Sequence, residues 1–227
     1  MTEAKWNSCA DPQLMLEFLR ERGKLCDRKA RLYAVACFRS VWDKLSEPAS
    51  RRAVEVAERF ADGKATKEEF DAASDAADEV PWVFVERGDH AAEGFAHAAG
   101  WATAPDASTA AEVTARFARG CDQDKKRPDG RYLATDPSEE YRQSLLLRCI
   151  FGNPFRPLHD LAPSLLTPAI VGLAQTIYEQ RSFERTRELA DALEAAGCTD
   201  ASLLAHLRSP GPHVRGCFAL DAMLGKS

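Results

Sequence analysis

A chain of 227 residues, 45% hydrophobic and 29% charged, has the apolar content for a packed core and lacks the composition of a disordered segment. Its net charge of −5 argues against a general nucleic-acid binder. No window approaches the ~18 consecutive apolar residues of a membrane span, and MTEAKWNSCADPQ does not read as an export signal.

Seven cysteines stand at irregular spacing: Cys9, Cys26, Cys37, Cys121, Cys149, Cys198 and Cys217. An odd number with no CxxC reads as free thiols in a reducing compartment, so a cytoplasmic protein is expected.

Helical periodicity dominates. Ala30, Tyr33, Ala34, Cys37, Phe38, Val41, Trp42 and Leu45 recur at i, i+3, i+4 and i+7, and Asp27 is placed to cap that helix. Pro48 opens the next, with Ala53, Val56, Ala57 and Phe60 on its stripe, ended by Asp62-Gly63. Thr66 and Glu69 have capping-box spacing before Phe70, Ala73, Ala77 and Val80; Thr109 and Glu112 repeat it before Val113 and Phe117. An alanine-rich helix is expected over 90–102. Val80 to Val85 is the one β-like run, weakened by Pro81.

The polar stretch 121–137 reads as a linker or loop between an N-terminal helical part, 1–120, and a C-terminal one, 138–227; a single continuous domain is the alternative. In the second part Ser138 caps a run with Tyr141, Leu145, Leu146, Cys149 and Ile150. GNPFRP makes a rigid turn, and Thr167-Pro168 opens a helix with Ile170, Ala174, Ile177 and Tyr178. Ser182 opens another, Thr199 to Arg208 forms a short one, and Val214 to Leu224 forms the last. The expected fold is all-α, a multi-helical layered bundle. Its final two helices form a pair in which PHVRGCFALDAML loosely resembles the second helix of a HEAT-type unit.

MTEAKW…CADPQLMLEFLR, DRKARLYAVACFRSVW, LRCIFGNPFRP and LADALEAAGC…AHLRSPGPHVRGCFALDAMLGK together resemble a family of uncharacterised bacterial proteins of similar length and segment order. The resemblance implies no activity. Such proteins often occur as many paralogues in one genome, which suits an adaptor or regulatory module. A departure is Leu207, where similar proteins carry a cysteine in an AHCR-type run.

The best metal candidate is Cys198, His206, His213 and Cys217, spaced C-x7-H-x6-H-x3-C. Zinc takes thiolate sulfur and imidazole nitrogen in a tetrahedron, and a hairpin would bring the four together, with His213 and Cys217 one turn apart on the last helix. The same residues also read as core cysteines and polar hairpin contacts. His90 and His97, with Asp89 and Glu93, read as a solvated helix face, since the pattern is not H-E-x-x-H. No G-x-S-x-G occurs, and the terminal GKS lacks the phosphate-loop glycine five residues earlier. Enzymatic function is therefore not expected, and no cofactor beyond a zinc ion.

Residues 20–59 carry eleven Lys/Arg against six acids, and 61–113 carry three against twelve. A nucleic-acid face would use the first segment, but mutual neutralisation of the two is the preferred reading. Phe155 and Arg156 stand between two prolines that hold the preceding residues out of the helical region. They form either a core plug or a preorganised recognition loop for a protein partner. The leading expectation is a non-enzymatic helical interaction or adaptor module, with zinc stabilisation and nucleic-acid binding as alternatives.

Overall fold

The computed structural model describes residues 1–80, 99–119, 137–158 and 161–226, and these form helices joined by turns and loops, with no β-strand among them. In chain order the helices are α1 (Glu3–Ser8), α2 (Pro12–Glu21), α3 (Asp27–Ser40), α4 (Pro48–Ala61), α5 (Lys67–Asp78), α6 (Ala107–Ala118), α7 (Pro137–Phe151), α8 (Pro168–Gln180), α9 (Thr186–Ala195), α10 (Ala201–Arg208) and α11 (Phe218–Leu224). None of the described helices is long and apolar enough to cross a membrane. Most of the β-like run, residues 90–98 of the expected 90–102 helix with His90 and His97, and nearly all of the 121–137 linker lie outside the described residues; residues 99–101 are helical.

The chain forms two compact units that do not follow its linear order. One comprises Ala10–Gln143; the other joins Met1–Cys9 to Ser144–Ser227, so the division falls within α7.

In the Ala10–Gln143 unit α3 is the central helix and packs on α4 and α6, while α5 packs on α4. Leu32, Tyr33, Ala34, Val35, Cys37 and Phe38 are all buried, so α3 is covered nearly all round. Arg31, 4% exposed, belongs to this interior. Its guanidinium donates to the carbonyls of Ala102, Ala104 and Pro105 and lies 4.7 Å over the Phe70 ring. One charge thus supplies donors to the buried turn carbonyls of Ala102 and Ala104.

Several helix starts differ from expectation by a few residues. The Thr66–Glu69 capping box forms in full. Asp27 instead lies in the first turn of α3, behind an N-cap at Cys26. α6 is capped by Asp106, which accepts from the Thr109 N–H, so Thr109 lies inside the helix. α3 ends at Ser40, and Trp42–Lys44 continue as a 3-10 turn.

The second unit builds its core from α8, α9, α10, α11 and the end of α7. Ile170, Ala174, Ile177, Tyr178, Leu189, Leu193, Leu203, Leu207, Leu220 and Met223 pack around Cys149, Cys198 and Cys217. α10 packs on α9, and α11 packs chiefly on α8 and only lightly on α10. α11 begins at Phe218, not at Val214. Pro210, Pro212, Gly211 at φ +95° and Gly216 at φ +84° keep residues 209–217 non-helical. α1 is tied to this unit by Trp6, 1% exposed, whose Nε1 donates to the Gly152 carbonyl at 3.1 Å. Arg148 donates to the carbonyls of Trp6 and Cys9.

Candidate metal centre

Four ligand atoms, one each from Cys149, His206, His213 and Cys217, lie within 4.8 Å of one another. Three belong to the quartet expected from the sequence. Cys198 does not join them: it follows Gly197 beyond the end of α9 and packs in the core at 5% exposure. Its place is taken by Cys149, two residues before the end of α7 and 57 residues ahead of His206 in the chain.

Each ligand has a local reason for its position. Cys149 lies on the buried side of α7, with Leu146 and Ile150 as neighbours. His206 sits in the last turn of α10, whose start is fixed by Asp200 accepting from the Ser202 and Leu203 N–H groups. Cys217 is the N-cap of α11. His213 lies in the non-helical segment before it, so the expected shared helix face of His213 and Cys217 is replaced by a loop that folds the imidazole back over the cysteine.

His206 Nε2 stands 3.2 Å from Cys217 Sγ, and the two imidazoles meet edge-on with centroids 4.8 Å apart. The His206 ring also packs on Phe218 at 4.5 Å. His213 Nε2 is 3.2 Å from the Ser209 carbonyl, an acceptor only, so this nitrogen carries the hydrogen. That leaves Nδ1 with its lone pair, and Nδ1 is buried without a hydrogen-bond partner. A backbone carbonyl that fixes the tautomer and turns the other nitrogen inward is the usual outer support of a metal-binding imidazole.

Burial alone would push both thiols up. At Cys217 it is outweighed by the polar contacts of Cys149, His206 and His213, which hold the thiol well below its ordinary range. Cys149, desolvated and bonded to Cys217, is held well above it. Burial lowers the His213 pKa, but the proximity of Cys217 and the Ser209 carbonyl outweighs it and raises the net value. The cluster thus surrounds Cys217 with groups that favour its ionised form, and a divalent cation would favour ionisation of both sulfurs.

In a regular zinc tetrahedron with bonds of about 2.0–2.3 Å the ligand atoms are roughly 3.3–3.8 Å apart. A set spanning 4.8 Å needs side-chain adjustments of about an ångström to reach that spacing. Two sulfurs and two imidazoles are soft to borderline donors, suited to zinc and poorly suited to magnesium or calcium.

The other sequence candidates are placed differently. Phe155 is 37% exposed and does not plug the core. Its N–H donates to Asn153 Oδ1 at 2.9 Å, while Glu3 accepts from Asn153 Nδ2 and pairs with Arg156 Nε at 2.9 Å. The turn is therefore locally braced, with the Arg156 side chain 79% exposed. In the basic segment, Arg28 pairs with Asp62, Arg39 with Glu58, Arg59 with Glu69 and Arg20 with Glu112. Arg31 and Arg51 donate to backbone carbonyls. Charges counted along the chain as a basic run are thus largely engaged by internal partners.

No known family model matches this chain, and no curated protein and no solved structure shows significant similarity to it.

Proposed function

We propose that the chain is a zinc-stabilised helical protein in which Cys149, His206, His213 and Cys217 form a closed, structural metal centre. The observation that supports this reading is the convergence of four thiol and imidazole groups, from three helices and a loop, within 4.8 Å. Four protein ligands complete a tetrahedron and leave no position for substrate, the arrangement of structural rather than catalytic zinc. The ion would link the end of α7 to α10 and α11, elements that local sequence cannot hold together. Elemental analysis of protein purified without chelator tests the proposal. About one zinc per chain is expected, lost in Cys149→Ser and Cys217→Ser and kept in Cys198→Ser. Stoichiometry near zero in the unmodified chain overturns it.

A second reading, an adaptor role through the GNPFRP turn, is favoured by the exposure of Phe155 and Arg156 on a braced loop. Aromatic and arginine side chains are the types that anchor protein interfaces. Affinity purification with Phe155→Ala/Arg156→Ala beside the unmodified chain tests it: partners retained equally by both chains count against this loop.

A further inference from the structure

Among the described residues, Cys149 and Cys217 are the only cysteines that the fold brings into the cluster. Cys9 and Cys198, buried in the same unit, lie outside it. A bound zinc would hold Cys149 and Cys217 about 3.8 Å apart as neighbouring corners of the tetrahedron, and a disulfide needs about 2.05 Å. Less than about 2 Å of approach therefore separates the metal-bound pair from a cross-link. Neither imidazole can follow that chemistry, and two imidazoles alone make a poor zinc site. Ligand identity thus makes metal binding and sulfur–sulfur bonding alternatives at one place. A surface cavity of about 430 Å³, lined in part by Ser209, Pro210 and His213, opens one ligand of the set to solvent.

We infer that Cys149 and Cys217 form a redox-labile pair: a peroxide oxidant converts the two zinc-bound thiolates to a Cys149–Cys217 disulfide and expels the ion. This rests on the zinc reading above. In the first step one thiolate attacks a peroxide oxygen; the O–O bond breaks, and a proton carries off the leaving hydroxide as water, leaving a sulfenic acid. The second sulfur then attacks the sulfenic sulfur, the S–S bond forms, and a second water leaves with another proton. Both sulfurs are oxidised and peroxide is reduced; zinc departs as the divalent ion. The cross-link ties the end of α7 to the start of α11, two of the elements the ion had joined, and leaves His206 of α10 and His213 without the ion.

The test uses the full chain carrying Cys26→Ser, because Cys26 is exposed and would oxidise between molecules. Zinc-loaded protein is treated with hydrogen peroxide in the presence of a chromophoric zinc chelator, then digested without reduction and mapped by mass spectrometry. The expected result is release of about one zinc per chain together with a Cys149–Cys217 linked peptide. Thiol reductant and added zinc reverse both changes. Retention of zinc under peroxide overturns the inference. So does release accompanied by sulfinic acid, or by linkage through Cys9 or Cys198. Failure of the unoxidised chain to take up zinc at all overturns the metal reading instead. Peroxide mapping of that zinc-free chain then judges the sulfur pair separately, a linkage other than Cys149–Cys217 counting against it.

Discussion

Gly152→Ala joins backbone strain to the proposed centre and is the most informative single substitution in the second unit. Gly152 ends α7 at φ +65°, a left-handed conformation that costs an L-residue roughly 1–2 kcal/mol. An added Cβ would also stand 3.1 Å from Phe218 Cγ and 3.3 Å from both Cδ atoms. The ring cannot simply retreat, because its neighbour is the His206 imidazole at 4.5 Å. Crowding of this kind in a packed interior costs a further ~1–3 kcal/mol. The sum is about 2–5 kcal/mol, and the two parts can be separated. Gly225, at φ +62° with nothing within 4 Å of its Cβ position, calibrates the backbone part in Gly225→Ala. A double-mutant cycle with Phe218→Leu isolates the ring contact. Urea unfolding of zinc-loaded protein should show Gly152→Ala more destabilising than Gly225→Ala, with part of the excess recovered when the smaller aliphatic side chain of Phe218→Leu stands opposite. Equal losses in the two glycine variants, or no coupling to Phe218, would refute the reasoning.

Thr66→Ala removes one half of the capping box on α5 and should cost about 1 kcal/mol by denaturant unfolding. In thiol footprinting of the native chain, exposed Cys26 should label rapidly while Cys37 stays unlabelled, since burial pushes its pKa up to about 12. The same shift sets an alkaline dependence. The unfolded thiol ionises near pH 9 and the folded one does not until about 12, so stability is full below pH 9 and falls between those values. Cys37→Ala should reduce that slope by about one proton, ~1.4 kcal/mol per pH unit at most, in pH-jump unfolding. Zinc affinity measured by competition with a chelator should weaken as pH falls from about 8 to about 5, because protons compete for two thiolates and two imidazoles; an affinity independent of pH would be inconsistent with this ligand set.

Helix content was legible because 3.6-residue periodicity and capping residues are local signals, and the Thr66–Glu69 box shows how far such a signal reaches. Boundaries slipped where two polar residues competed for the cap, as Asp106 did with Thr109, and where prolines and glycines delayed α11 to Phe218. Three of the four clustered groups lie within twelve residues, close enough for spacing to suggest their convergence. Cys149 was hidden because on α7 it occupies an apolar stripe with Leu146 and Ile150, and nothing in a helical repeat separates a core thiol from a ligand. Cys198 was attractive through nearness in sequence alone. The basic run likewise lost its meaning in three dimensions, where Asp62, Glu58 and Glu69 sit beside its arginines.

X-ray absorption at the zinc edge of the purified chain tests the central claim most directly. The account predicts a four-coordinate shell of two sulfurs at about 2.3 Å and two imidazole nitrogens at about 2.0–2.1 Å. Cys149→Ser should abolish the zinc signal, and Cys198→Ser should leave the spectrum unchanged. A shell of oxygen and nitrogen only, or one in which Cys198→Ser removes the sulfur and Cys149→Ser does not, would contradict it.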